Sequence, residues 1–343
     1  MTILSRLIGT MQSIFGIGTI KLKDNSGTLQ VRNAADDAFL KIQALAPAAN
    51  DDVATKGSSD TAIAAAVNSI LNKMEARVTL TTATPITTSD VTAAETIYYT
   101  PMEKGIITLY DGSALWEAHT LTEISIAVPD TTDTGYDIFV YNSSGTLTLE
   151  LVAWTSLAAR ATELALQNGI KVKSGSPEKR YVGSFQTGSV SGQTLDAVTA
   201  RYLWNEYNKV LRDMIKSPGA NWTYATASLQ LLNADATGKI ACFVGDTLST
   251  IQLQLQLSIA SDTGVAYFAY IGFNAETASA ASPKIHWEQS TGGVFYANPV
   301  CSAVVKSVLG HNYACGLELA QTGTTYLFSS GNIDCVIRGS LWM

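Results

Sequence analysis

Between positions 251 and 259 every second residue is apolar: Ile251, Leu253, Leu255, Leu257 and Ile259 alternate with Gln252, Gln254, Gln256 and Ser258. Side chains of a strand project alternately to opposite faces, so this run has one dry face and one wet face. A helix built on it would scatter its leucines around the whole cylinder. A second layer of structure must cover the dry face. Shorter strand patterns recur at 96–100, 105–110, 121–128, 136–141 and 146–154. Turn sequences separate them at Asp111-Gly112, Asn142-Ser143-Ser144-Gly145, Asn168-Gly169 and Lys173-Ser174-Gly175. Strands and turns at such spacing predict a sandwich or barrel. No fixed-period repeat marks a solenoid, which disfavours a β-helix.

Composition supports an extended, charge-poor surface. Of the 343 residues 46% are hydrophobic and only 15% are charged, against roughly 25% in an average soluble domain. Thr, Ser, Asn, Gln and Gly must cover the outside, which suits half-solvated β-structure. It also suits a chain whose surface is shared with neighbouring subunits. The net charge is −7, and no basic cluster is denser than Lys21-Leu22-Lys23 or Lys179-Arg180. A nucleic-acid partner needs a basic stripe, so none is expected, nor is docking to an anionic membrane. No apolar run reaches the 18 or so residues of a membrane span, so membrane insertion is not expected. Residues 1–18 lack the basic start and cleavage site of a signal peptide.

Three segments break the strand pattern. In the first, Leu4, Leu7, Ile8, Met11, Ile14 and Phe15 recur at spacings of three and four, predicting a short amphipathic helix that ends at Gly16 and Gly18. Its apolar face is read as a docking surface for a larger particle rather than as a helix packed on the chain's own body, because an uncovered apolar face is a liability without a partner. A hairpin is predicted over 19–33, turning at Asp24-Asn25-Ser26-Gly27. Helical spacing returns in 53–77, where Ile63, Val67, Ile70 and Met74 make a heptad seam spaced four, three, four, read as a coiled-coil neck against a helix packed on a β domain. Positions 196–216 repeat the pattern with Val198, Tyr202, Leu203, Tyr207, Val210, Leu211 and Met214, predicting a connecting helix ended by Pro218-Gly219. A further short helix is entertained over 158–166.

Chemistry-bearing motifs are sparse. Gly16-Ile17-Gly18 is a lone GxG with little information. His119, His286 and His311 stand in no nucleophile or metal motif. His311 and Cys315 lie four apart, but no second ligand pair follows. Asp130, Asp133 and Asp137 cluster at a turn and read as solvated turn residues. Cys242, Cys301, Cys315 and Cys335 sit in strand-like contexts and read as buried free thiols. No catalytic residue, metal or cofactor is predicted.

The ordered short motifs raise a family. Leu22-Lys23-Asp24-Asn25-Ser26-Gly27, Val31-Arg32-Asn33-Ala34-Ala35-Asp36 and Asn50-Asp51-Asp52-Val53-Ala54-Thr55-Lys56 resemble the N-terminal part of tailed-bacteriophage tail-fibre proteins. A second series is similar to a domain recurrent in phage receptor-binding proteins. It runs through Ile97-Tyr98-Tyr99-Thr100-Pro101, Leu109-Tyr110-Asp111-Gly112, Trp116, Tyr136-Asp137-Ile138-Phe139, Leu149-Glu150-Leu151, Trp154 and Arg160. It continues with Asn168-Gly169, Val172-Lys173-Ser174-Gly175 and Arg180-Tyr181-Val182-Gly183. Arg201-Tyr202-Leu203-Trp204-Asn205-Glu206-Tyr207 resembles the helix that follows that domain. After Lys56 the chain departs from the fibre pattern with Gly57-Ser58-Ser59-Asp60. The resemblance spans about 20–218.

Together these readings predict a mainly β protein with two β-sandwich, jelly-roll-like domains after a short N-terminal helix and a trimeric helical neck. The divisions are 1–20 docking, 21–50 hairpin and linker, 51–77 neck, 78–195 first sandwich, 196–218 connecting helix and 219–343 second, distal sandwich. The resemblance implies a non-enzymatic fibre of the virion, a homotrimer held to other virion proteins and attaching to a host surface glycan or protein. Trp287, Phe295 and Tyr296 are the candidate receptor-contact rings, set against an equal expectation that they fill the sandwich or a trimer interface. A head fibre or capsid-decorating protein is the alternative address, and a polysaccharide depolymerase the alternative class. Deleting residues 1–20 is expected to leave a soluble oligomer that no longer incorporates into particles; aggregation of the truncated chain would place the helix in the protein's own core.

Overall fold

The computed structural model describes residues 20–25, 28–33, 35, 73–113, 115–261, 264–277, 284–289, 295–329 and 335–343. Leu4, Leu7, Ile8, Met11, Ile14, Phe15, Ile63, Val67 and Ile70 lie outside the described residues. The described chain is mainly β, in several sheets. Two compact units divide it, 1–69 and 70–343.

In the first unit the strands Ile20–Asn25 and Thr28–Asn33 pair antiparallel, from Ile20 opposite Asn33 to Asn25 opposite Thr28. This is the hairpin that the alternation predicts.

The second unit has two hydrophobic cores. The first lies under a seven-stranded sheet whose central strands are Gly135–Ser143, Thr146–Ser156 and Ser176–Gln186. Ile138, Val140, Val182 and Phe185 point down from it. They meet Val78, Ile97 and Tyr99 of the sheet Ala76–Thr79, Thr96–Pro101 and Ile124–Ala127, and Ile107 and Leu109 of the hairpin Ile106–Tyr110 and Trp116–Thr120. The turn at Asn168-Gly169 shows how local sequence fixes register. Asn168 has φ 51° and Gly169 φ 82°, both left-handed, as a two-residue type I′ hairpin requires. Gln167 therefore pairs with Ile170 and Leu164 with Lys173.

The second core lies between two further sheets. One carries Lys239–Val244, Gly310–Thr322, Val265–Phe273 and Ile285–Gln289 side by side. The other carries Leu211–Lys216, Val336–Trp342, Thr250–Gln256 and Val300–Lys306. Ile251, Leu253 and Leu255 are all at most 2% exposed and face Ile240, Tyr267 and Ile271 across the layer. The alternation runs on through Leu257 and Ile259, both fully buried. After Gln256, however, the chain changes partners: Ile259–Ser261 pairs with Thr325–Leu327 and Phe295–Ala297 in a separate small sheet with Trp222–Tyr224. All four cysteines are buried; burial alone pushes the Cys242 thiol up to about 12.

Three helical expectations are corrected. Positions 196–218 hold no helix: Thr194–Ala197, Ala200–Arg201, Leu203–Asn205 and Leu211–Lys216 are strands. Leu203, Trp204 and Asn205 are all buried, so no wet face marks the strand. The three-and-four spacing arises across several short strands, and Asn208, at φ 51°, adopts a conformation that helices exclude. Positions 158–166 likewise turn from Thr146–Ser156 into Ala159–Arg160, with Ser156 opposite Ala159. Met74, placed in the neck seam, bridges Ile107 and is 4% exposed inside the first core; it is occupied by its own chain. The strand Ala76–Thr79 replaces the end of the neck.

Buried polar clusters stitch the two cores together. Asp137, expected to be a solvated turn residue, instead sits on the strand Gly135–Ser143, 1% exposed, and accepts from Arg160 Nε at 2.8 Å and Ser184 Oγ at 2.7 Å. Arg160 also donates to the Gly245 carbonyl at 2.8 Å and lies over the Trp154 ring. At Gly245 a Cβ would come within 2.3 Å of the Tyr181 hydroxyl, so only glycine lets the strand end approach. Within the second core, fully buried Glu318 accepts four hydrogen bonds. Oε2 receives Trp222 Nε1 at 2.9 Å and the Tyr267 hydroxyl at 3.1 Å; Oε1 receives Gln230 Nε2 at 3.0 Å and the Asn233 amide at 2.9 Å. Burial raises its pKa, and the four donors oppose that rise.

Two substitutions test these clusters. Arg160→Ala leaves the Asp137 carboxylate buried without its counter-ion and is expected to cost about 3–5 kcal/mol in denaturant unfolding. Glu318→Gln keeps the shape, but either orientation of the amide NH₂ faces a donor that cannot reverse, the indole N–H or the Asn233 N–H. A loss of about 1–3 kcal/mol is expected; an unchanged midpoint would mean that the four bonds do not form.

Candidate aromatic binding surface

The sequence singles out Trp287, Phe295 and Tyr296, and the structure separates them. Trp287 lies opposite Tyr267 on Ile285–Gln289, packs against the second core and donates its Nε1–H to Ser261 Oγ at 2.8 Å. Ser261 passes a hydrogen bond on to Gln289 Oε1 at 2.8 Å. The ring is a wall between sheets, as the packing expectation has it. The Phe295 side chain lies outside the described residues. Tyr296 stands out from the surface, with 75% of its area exposed.

Strand register gives Tyr296 a companion. In the small sheet the order is Trp222–Tyr224, Thr325–Leu327, Ile259–Ser261, Phe295–Ala297. Tyr326 and Tyr296 are both paired with Ala260, one from each side. Residues directly opposite share a face, so the two phenols flank a single alanine on the outside of the sheet. Two strand spacings separate their backbones, roughly 9.5 Å. Tyr326 is 41% exposed, while Leu327 and Ile259 on the opposite face are fully buried. Phe328 extends the surface, its ring centroid 6.1 Å from that of Tyr296. An open groove of about 300 Å³ runs beside it, lined by Asn221, Trp222, Thr223, Tyr326, Leu327 and Phe328. Two internal bonds hold its walls: Trp222 Nε1–H to Glu318, and the Ser329 amide to Asn221 Oδ1 at 2.8 Å.

None of these surface residues carries a charge. The surface can offer ring faces to the C–H face of a saccharide or to another ring, with phenolic hydroxyls to donate and accept at the edges. Trp222, Tyr326 and Phe328 were missed by the sequence reading. A signal for the last two was present: Tyr326, Leu327 and Phe328 are bulky on successive positions, so both faces of that strand are apolar, and only one can be inward.

No family model matches the chain, and no curated protein matches it. Solved structures give weak likenesses only. Eiger TNF from S. frugiperda is 6% identical, with TM-score 0.28 over 39% of this chain and 92% of that one. The insecticidal delta-endotoxin Cry8Ea1 from Bacillus thuringiensis is 9% identical, with TM-score 0.23 over 81% of this chain and 55% of the toxin. The infectious bursal disease virus Gx strain structure is 9% identical, with TM-score 0.25 over 75% and 76%. Scores at this level carry no argument about fold or function.

Tyr296→Ala and Tyr326→Ala are expected to shift stability by no more than about 0.5 kcal/mol each, as at exposed surface sites. A fall above about 2 kcal/mol for Tyr296→Ala would make the ring part of the packing.

Proposed function

We propose that this chain is a structural fibre protein of a tailed-bacteriophage virion, attaching the particle to the host cell surface through the Tyr296–Tyr326 face. The observation that carries the reading is the ordered series of short motifs across 20–218, which resembles phage fibre and receptor-binding proteins. The β-rich, charge-poor body and the uncharged aromatic face are consistent with it. In this reading the two cores belong to two β-sandwich, jelly-roll-like domains, with the strands of 196–218 contributing to both cores, and the second domain is distal. The neck seam is reduced to Ile63, Val67 and Ile70, since Met74 belongs to the body. A homotrimer presents three aromatic faces, and several fibres multiply them. Multivalent contact of that kind raises weak affinities by about 10²–10⁴, so one shallow face per chain suffices.

Three measurements test this. Light scattering on the purified chain is expected to give three times 36.4 kDa; a monomer at micromolar concentration would overturn the trimer. Gold-labelled antibody against the chain, applied to particles of the phage that encodes it, is expected to mark the tail end. Label on the head would move the protein to the head-fibre address, and unlabelled particles would sink the virion reading. Tyr296→Ala with Tyr326→Ala is expected to abolish adsorption at an unchanged melting temperature.

A further inference from the structure

A second aromatic groove lies on a different sheet, and its construction is that of a ligand site. Ala200 pairs with Ala241, and Ala241 with Tyr313, so two alanines stand side by side on one face and leave a floor between larger neighbours. Tyr202 and His311 form one wall, their ring centroids 5.8 Å apart at 66°. Tyr313 and Lys239 form the other, the ammonium 5.2 Å from the ring centroid. Lys216, Thr199, Ala236 and Thr237 complete the rim of a space of about 430 Å³, within the range of small-molecule sites.

The polar groups of the groove are held from behind. His311 Nδ1 is 2.8 Å from Oε1 of Gln186, a side chain only 1% exposed. Its backbone amide donates to the Leu157 carbonyl at 2.9 Å. With the Nδ1–H donating, Nε2 is an acceptor, and it has no hydrogen-bond partner among the described residues. Burial holds the imidazole below the ordinary histidine range, against the pull of Asp133, so the ring is neutral at pH 7. Charge around the groove is nearly balanced. Lys239 is paired with Glu276 at 2.5 Å, Lys216 lies in the field of Asp235, and Asp133 acts on both Tyr202 and His311. Two ammonium groups thus face three carboxylates, which gives an acidic ligand no advantage.

We propose that this groove binds a neutral saccharide of the hexose class. A hexose presents an apolar C–H face and a rim of hydroxyls, each both donor and acceptor. The rings of Tyr202, His311 and Tyr313 meet the first. Nε2 of His311, the two phenols, the Thr237 hydroxyl and the lysine ammoniums meet the second, with acceptors and donors both represented. A preformed, partly buried wall costs little ordering on binding. The site is separate from the Tyr296–Tyr326 face and does not depend on the attachment reading.

The test uses the full chain and a defined panel: the methyl glycosides of glucose, galactose, mannose and N-acetylglucosamine, with maltose, cellobiose and lactose, and glucuronic acid as the charged control. Saturation-transfer NMR finds binders and calorimetry gives Kd. At least one neutral sugar is expected to bind saturably. Tyr313→Ala and His311→Gln are each expected to raise its Kd at least tenfold, about 1.4 kcal/mol. Ala241→Leu, which removes no contact and only fills the floor, is expected to do the same, with all three melting temperatures near that of the parent. Tyr296→Ala is expected to leave Kd unchanged. Absence of binding by every neutral sugar overturns the proposal, as does binding by glucuronic acid alone. Binding that survives Ala241→Leu and is lost in Tyr296→Ala overturns it too, and assigns the sugar to the other face.

Discussion

Buried guanidinium groups are what allow the two cores of residues 70–343 to share one body. Where two layered cores meet, loops and strand ends are trapped away from water, and their carbonyls must find donors. An arginine supplies five N–H groups in a fixed fork, and this chain uses several at the joint. Arg160 links Asp137 to the Gly245 carbonyl. Inside the first core, fully buried Arg180 plays the same part, donating to the Thr108 carbonyl at 2.7 Å and to the Tyr207 hydroxyl at 3.2 Å. Arg201 grips the Asp213 carbonyl, while Arg201 and Arg212 divide the two oxygens of Asp196. Arg77 reaches the carbonyls of Pro85, Asn208 and Met343. Desolvation works against such groups: burial, with Arg212 nearby, brings the Arg77 guanidinium down to about 10 although Asp196 opposes the fall. The carbonyls recovered by each fork offset that cost.

This arrangement explains how a chain with 15% charged residues still spends charge in its interior. The outer strand faces can be left to Thr, Gln and Ser because the joint is fixed by a few specific ion pairs. The sheets then have outer faces free of structural duty, and that is where both aromatic surfaces occur. One sits on the small sheet around Ala260, the other on the large sheet around Ala241. The second has a pair of alanines for its floor, where small residues between large neighbours make a depression without breaking the ladder.

What the sequence disclosed follows from the same physics. A strand with one wet face advertises itself, and Ile251, Leu253, Leu255, Leu257 and Ile259 are buried as their alternation requires. Turns with Asn-Gly chemistry did the same at Asn168-Gly169. The stretch 196–218 was illegible because Leu203, Trp204 and Asn205 are enclosed on both sides, so the alternation vanishes and chance helical spacing is all that remains. Local pattern also could not separate Trp287 from Tyr296: both are aromatic, near one loop, and only the register with Tyr267 and Ala260 turns one inward and one outward. The His311–Tyr313 half of the groove is visible as an i, i+2 pair on one strand face. Tyr202 joins it only through the parallel pairing of Ala200–Arg201 with Lys239–Val244, a contact between distant segments that no local pattern encodes.

The two surfaces differ in the way that binding energy is gathered. Tyr296 and Tyr326 are open rings on an uncharged face; a ligand there displaces little water, gains little desolvation and is held weakly per site. Such a surface becomes effective by repetition, because a second contact made by a tethered copy is effectively intramolecular. The groove at Tyr202, His311 and Tyr313 is walled and pre-oriented by Gln186, so its selectivity can come from a few well-placed polar groups whose loss leaves a partner unsatisfied. A weak repeated surface discriminates poorly between related ligands, whereas a walled groove with both donors and acceptors discriminates well. In the proposed reading a body that carries both surfaces separates capture from discrimination, and the buried arginine contacts hold the two cores of that body together.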